Sequence, residues 1–197
     1  VPLGIELGLD VESRFIEIGR RVIDRYPFDQ VIGSAHTMGG HPIAYKANVE
    51  GLSKSEYYPI YLGYVVDLLK ANPYIDTFAH IDYPSRYTKY ENNPVFYQEF
   101  PSEFDAVLKT LIELDIALEI NQRRLAIPEF YAALNSVVAR YQQLGGRYVT
   151  IAGDNHIVDT IGHDFEKAWE MAVGNKLTPV YFKDRVRIID SEEEPAK

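Results

Sequence analysis

Residues 128–156, PEFYAALNSVVARYQQLGGRYVTIAGDNH, carry the pattern that decides the fold class. Pro128 suits the first turn of a helix, where its missing N–H leaves no bond unmade. Tyr131, Leu134, Val138 and Tyr141 then recur at helical spacing and form one apolar stripe. Gly145 and Gly146 stop the helix. Tyr148 to Ala152 is a short run suited to a buried strand, and Asp154 and His156 come directly past its end. Helix, turn and strand are thus followed by two residues with metal-competent side chains.

The same alternation extends in both directions. Val1 to Leu7 predicts a strand, and Val11 to Arg25 a helix with Phe15, Ile18, Val22 and Ile23 on one face, ended by Pro27. Asp29 to Ser34 predicts the next strand, before a loop containing Gly39, Gly40 and Gly51. Ser53 or Ser55 caps a helix running to about Lys70 that buries Tyr61, Tyr64, Val65 and Leu68. Strands are expected at Ile75 to Ala79, Ile116 to Ile120 and Val180 to Phe182. Helices are expected from Ser102 and from Phe165 to Val173, with Trp169 facing inward. The stretch from Asp82 to Pro101 is long enough for a functional loop. Strand and helix alternating in this way predict an α/β protein with a mostly parallel sheet. Residues 1–190 are expected to form one domain, and the acidic tail 191–197 to fray.

Composition narrows the chemistry. The chain has 197 residues, 46% hydrophobic and 25% charged, enough for a substantial core. It contains no cysteine, so any metal must be held by nitrogen and oxygen. The net charge of −9 argues against broad nucleic-acid binding, which depends on a basic surface. No apolar run approaches the roughly 20 residues that span a bilayer, and nothing at the start reads as a signal peptide. A cytoplasmic location, without a membrane partner, is the expectation. The 15 tyrosines and nine phenylalanines are expected mainly in the core and on its rim.

The ionisable residues collect at strand ends. Glu6 closes the first strand, and His36 lies just past the second. His80 follows the third, Asn121 the fourth, and Asp154 and His156 the fifth. Parallel strands deliver such residues to one rim, where α/β barrels build their sites. Singly, each has a plainer explanation: His36 as a rim histidine, His80 as a satisfied core histidine, Asp154 as a turn cap. Glu6 is harder to place structurally, because an unpaired carboxylate at the end of an apolar strand is costly. Five consecutive strands doing this together point to a shared metal site. Imidazole and carboxylate groups suit Zn, Mn or Fe, and two such ions can drive phosphate-ester hydrolysis. His41 and His163 lack a strand-end position and are expected at the surface or behind the ligands. No serine or cysteine sits in a nucleophile elbow.

Gly4-Ile5-Glu6-Leu7-Gly8, Val31-Ile32-Gly33-Ser34-Ala35-His36, Ala79-His80-Ile81-Asp82-Tyr83, Glu119-Ile120-Asn121 and Gly153-Asp154-Asn155-His156 occur in one order. With Tyr148-Val149-Thr150-Ile151 and Gly162, this set resembles the polymerase and histidinol phosphatase (PHP) family, nearest to its histidinol-phosphate phosphatases. The resemblance runs from Leu3 to about Phe182. It implies a distorted (β/α)7 barrel of the TIM-like kind, with two or three divalent metals at the C-terminal rim. It makes Glu6 a bridging ligand, with His36 and His80 completing the protein ligands of one metal. Asp154 would serve a second metal and His156 a third, with Glu6, Asp154 and Arg86 as the catalytic set. Arg86 would hold the substrate phosphate, with Arg123 or Arg124 as a second arginine and Asn121 nearby, since guanidinium geometry suits a phosphate dianion.

The pattern also departs from that family. The His-x-His pair on the opening strand and a histidine after the second strand are not found, so the chain starts on what resembles the third strand. It is expected to be the larger C-terminal part of a barrel lacking its first two βα units. Complementation by an N-terminal segment, homo-oligomerisation and a degenerate relative remain open. Gln122-Arg123-Arg124 replaces a small-residue stretch, and Ala152-Gly153-Asp154-Asn155-His156 stands where Gly-Ser-Asp-Ala-His is usual. The implied activity is hydrolysis of a small phosphorylated substrate, L-histidinol phosphate, to L-histidinol and phosphate in histidine biosynthesis. The alternatives are another phosphoester, such as protein phosphotyrosine or a nucleotide, and a metal-binding remnant with impaired catalysis.

Overall fold

The computed structural model describes residues 2–44 and 51–189, so the acidic tail lies outside the described residues. In chain order the elements are β1 (Gly4–Gly8), α1 (Ser13–Arg25), β2 (Gln30–Ser34), β3 (Thr37–Met38), β4 (His41–Pro42) and α2 (Lys54–Ala71). They continue with β5 (Thr77–Phe78), α3 (Pro101–Glu113), β6 (Ala117–Asn121), α4 (Pro128–Gln143), β7 (Tyr148–Ala152), α5 (Phe165–Gly174), β8 (Thr178–Lys183) and β9 (Val186–Ile189). Short 3-10 turns at Tyr83–Arg86, Tyr97–Glu99, Gln122–Arg124 and Val158–Thr160 interrupt the connections. No described helix is long and apolar enough to cross a membrane.

Local chemistry explains most boundaries. Ser53 and Glu56 form a reciprocal capping box at the start of α2. Pro101 and Pro128 open α3 and α4. Tyr26, next to Pro27, is extended as the proline ring requires, and α1 stops there. Beyond α4, Gly145 takes a φ of +100° and the Gly146 N–H reaches the Tyr141 carbonyl at 2.9 Å. That is a Schellman cap, so the glycine pair ends the helix as expected.

The main sheet has seven strands in the order β1-β2-β5-β6-β7-β8-β9, with a separate β3–β4 hairpin. Neighbours are parallel from β1 to β8, and only β8–β9 is antiparallel. The α/β class with a parallel sheet is therefore as expected. A closed ring is not what these strands make: among the described residues β1 pairs only with β2, and β9 only with β8. Helices α2, α3 and α4 cover the sheet through Val65, Leu68, Val107, Leu108, Leu111, Val137 and Val138, packed on Val31, Phe78, Leu118, Ile120 and Val149. All five residues of β6 are buried, as befits the central strand.

The first helix forms where expected but packs loosely. Its apolar residues share one face, yet α1 has no buried residue, and Phe15 and Ile18 are exposed while Val22 and Ile23 are half-buried. The stripe needs a wide surface, and the edge strand β1 offers only Ile5 and Leu7. Trp169, expected inward, is half-buried against Phe165.

The last hairpin closes the opposite end of the sheet from the polar rim. β8 follows β7 only at Tyr148–Thr178 and Val149–Pro179, then leaves it. Asp184 and Arg185, both at positive φ, form the two-residue turn to β9. That turn meets the residues just before β2 and β5. The Asp184 N–H reaches Asp29 Oδ1 at 2.9 Å, and Arg185 Nε reaches Asp76 Oδ2 at 2.6 Å. The same Asp76 oxygen accepts the Val31 N–H at 2.7 Å. The hairpin is thus a floor under the N-terminal strand ends. Arg185→Ala should lower the unfolding free energy by about 1.5–3 kcal/mol, because a mostly buried carboxylate loses a charged partner. Urea denaturation checks this, and a change within 0.5 kcal/mol would mean that the floor is held by other contacts.

Candidate metal centre

Glu6 sits in the middle of β1 rather than at its end as expected, because the pairing with β2 runs on through Leu7 and Gly8, whereas His36 and His80 lie two residues past β2 and β5. Register brings them together: Glu6 lies beside Ile32 of β2, and the two histidines follow within two residues of their strands. Glu6 Oε1 is 3.1 Å from His80 Nε2 and 3.3 Å from His36 Nε2. Among the described residues, these three form the group whose ligand atoms all lie within 4.8 Å of one another. The rings of His36 and His80 stack at 5.2 Å, and Tyr83 packs on both at 4.8 and 4.7 Å. Ser34 Oγ lies 3.3 Å from His36 Nδ1 and donates to the Leu7 carbonyl at 3.1 Å.

The electrostatics favour ligand-competent forms. The hydrogen bond from His80 is the main cause that holds the Glu6 carboxyl down to about 2, against the opposing effect of burial. The charges of both histidines act in the same direction. His36 is held below its ordinary value, first by burial and then by His80 beside it. At neutral pH the site therefore offers a carboxylate and a neutral His36 imidazole. One oxygen and two imidazole nitrogens suit a divalent ion and leave coordination positions for other ligands. His80 Nδ1 is buried without a partner, whereas its Nε2 faces Glu6.

The other expected residues form a second group. Arg86, at the end of the 83–86 turn, donates from Nη1 to Asp154 Oδ2 at 2.6 Å and from Nη2 to Asn121 Oδ1 at 3.1 Å. Arg123 Nη1 is 3.5 Å from the same Asp154 oxygen, and His156 Nε2 is 3.4 Å from Asp154 Oδ1. Tyr83 joins the two groups, since Arg86 lies over its ring at 5.3 Å. Asp154 thus faces arginine rather than the histidine pair, and the exposed His156 reaches Asp154. Arg124 turns elsewhere: it bonds Asp82 and Ser85 and covers the Phe130 ring at 3.9 Å. His41 and His163 are exposed, and His163 lines a shallow pocket with Arg123, Asp154 and His156.

Two members of the site sit on unusual backbone. His80 has a φ of +28° and Asp154 a φ of +48°, in the left-handed region that is uncommon for residues other than glycine. Glu119 and Tyr83 were not expected as site residues. Glu119 accepts the His80 N–H at 3.1 Å and an Asn121 Nδ2 hydrogen at 2.9 Å, and burial pushes its carboxyl up. A sequence signal did exist: Glu119 is two residues before Asn121 on a strand, hence on the same face.

No family model matches the chain. A probable histidinol-phosphatase from Clostridium acetobutylicum is 38% identical over 186 residues, which are 94% of this chain and 72% of that protein. The chain belongs to the histidinol-phosphatase family. A histidinol-phosphatase from Lactococcus lactis is 30% identical over 159 residues, 80% of this chain and 58% of that one. Among solved structures, the histidinol phosphate phosphatase of Lactococcus lactis, complexed with zinc, L-histidinol and phosphate, aligns with a TM-score of 0.84. Its identity is 25%, over 96% of this chain and 72% of that one. This histidinol-phosphatase fold accordingly places the polar ends of its parallel strands in a shared mouth.

The Glu6–His80 pair makes a testable statement about protonation. Because the folded-state pKa is depressed, the pair's stabilisation is complete above the ordinary carboxyl value of 4.5 and is lost as pH falls toward 2. Carboxyl-carbon NMR of the metal-free chain should find one glutamate titrating near 2. His80→Ala should return it toward the ordinary range; an unmoved signal would show that His80 is not the cause.

Proposed function

We propose that this chain hydrolyses a small phosphomonoester, L-histidinol phosphate, to L-histidinol and phosphate, as its family relatives' names describe. One observation carries the proposal: two histidines and a glutamate from three neighbouring parallel strands converge within ligand distance beside an arginine fork. Glu6, His36 and His80 would hold a divalent ion, and Asp154 and His156 would contribute to one or two more, with zinc, manganese or iron as candidates. Such ions supply Lewis acidity and lower the pKa of water at the site.

The chain's own residues do the positioning. The Arg86 guanidinium is already oriented by Asp154 and Asn121, so its fork is preorganised for phosphate oxygens and for the charge that develops on them. Arg123, partly exposed and aimed at the same carboxylate, is the better second phosphate arginine. Arg124, held by Asp82 and Ser85, would steady the turn that carries Arg86. The shallow pocket lined by Arg123, His156 and Ile157 leaves room for the organic part of the substrate.

The same reading makes the parallel sheet the larger sector of a distorted (β/α)7 barrel in a cytoplasmic enzyme. The open edge of β1 and the uncovered Phe15 and Ile18 support further βα units packing there, in the same chain or from another. Those units would supply the remaining protein ligands of the ions that Asp154 and His156 would help to hold. The second reading, a metal-binding remnant of impaired catalysis, is favoured by Asp154 pairing with arginine.

Phosphate release from L-histidinol phosphate, assayed on the intact chain with zinc, manganese or iron, tests the proposal. Glu6→Ala should reduce turnover by about 100-fold or more, since losing a ligand should cost at least as much as losing its outer-shell support. Arg86→Lys should mainly raise KM, because the bidentate fork is lost while the charge remains. Equal rates for wild type and Glu6→Ala would overturn the site assignment. Metal binding without turnover would favour the remnant.

A further inference from the structure

Glu119 is buried on β6, 3% exposed, with its Oε1 oxygen turned toward the mouth between the two groups. A carboxylate in that position is costly unless it is bonded, and a hydrophobic residue would fill the strand more cheaply. What it bonds is informative.

Its first partner is the backbone N–H of His80. The β5–β6 pairing ends at Phe78 and Leu118, so the ladder offers His80 no acceptor. The preceding residue, Ala79, still reaches the Gly33 carbonyl at 2.9 Å. The chain then turns to a φ of +28° at His80, and Glu119 Oε1 takes the N–H at 3.1 Å. The glutamate therefore holds a strained residue whose ring faces Glu6.

Its second partner is the Asn121 side chain. An asparagine amide has one donor end and one acceptor end, and the bonds around it decide which points where. Glu119 takes the Nδ2 end at 2.9 Å. Oδ1 is thereby turned outward, where it accepts from Arg86 Nη2 and from the Arg123 N–H, both at 3.1 Å. In the opposite orientation an NH2 group would face a guanidinium, donor against donor.

We infer that Glu119 is a positioning residue that couples the two halves of the site, holding the His80 backbone on the metal side and orienting Asn121 toward Arg86 on the phosphate side. This rests on the reading that Glu6, His36 and His80 bind metal and that Arg86 binds phosphate. One carboxylate oxygen thus sets both binding geometries, and losing it should weaken both together.

The experiment uses the full chain with Glu119→Leu, Glu119→Asp and Glu119→Gln. Zinc and inorganic phosphate binding are measured by calorimetry, and folding by urea denaturation. In the metal-free protein, NMR follows amide exchange at His80 and the Arg86 side-chain signals. Leu, which removes the acceptor, and Asp, which withdraws it by one methylene, should each lose about tenfold or more in both affinities, the range for outer-shell partners. Both should also lose protection at His80 and shift Arg86. Gln keeps an oxygen at full reach and should stay within about threefold on both ligands, by the same measure. Glu119→Asp behaving as wild type, or Gln falling as far as Leu, would overturn the inference. If Leu fails to fold, Asp and Gln still decide it. If the wild type binds neither zinc nor phosphate, the functional reading fails, and the His80 and Arg86 signals in the metal-free variants decide this one separately.

Discussion

Parallel pairing from β1 through β7 gives one direction to five strands, and whatever follows each strand must enter the same mouth. This constraint acts before any side-chain chemistry. Hydrogen bonding between β1 and β2 aligns Glu6 with Ile32, so the carboxylate can lie only a short reach from a histidine two residues past β2. The β2–β5 pairing does the same for His80. The buried helices α2, α3 and α4 hold the sheet from one side, and the β8–β9 hairpin closes its N-terminal end. The site residues arrive at the end of the sheet opposite that hairpin.

Within that mouth the burial gradient separates two kinds of work. His80 is nearly fully buried, and the Glu6 carboxylate is about one-third exposed, so one partner is rigid and the other stays accessible. Arg86 and Asp154 are also mostly buried, whereas Arg123 and His156 extend into solvent. The inner residues define a geometry, and the outer ones leave room for an incoming phosphoester. Tyr83 belongs to both groups by ring contact, and Glu119 by hydrogen bonds. The site is thus one connected unit, although its ionisable residues fall into two clusters.

Much of this was legible along the chain. Helix and strand positions followed from apolar spacing, prolines and the Gly145-Gly146 stop, because those signals are local. The strand-end placement of His36, His80, Asn121 and Asp154 followed from the same pattern, whereas Glu6 lies mid-strand because β1 continues to Gly8. Other features had no local signal. The turn between β8 and β9 is Asp184-Arg185 rather than a glycine pair, so nothing marked a hairpin, and β9 went unseen. The exposed face of α1 could not be read either, since an apolar stripe records the capacity to pack, not the presence of a surface.

By itself the sequence determined the α/β class, the one-rim arrangement and the residue types available for metal and phosphate. Each of these depends on short-range periodicity or on the common direction of parallel strands. Tertiary structure alone decided who meets whom. Asp154 is paired with Arg86, 68 residues away, and Glu119 bridges His80 and Asn121. It also decided that Arg124 faces Asp82, and that the described sheet ends on an open β1 edge. Such choices come from strand register, burial and the orientation of single side chains, which depend on distant parts of the chain at once.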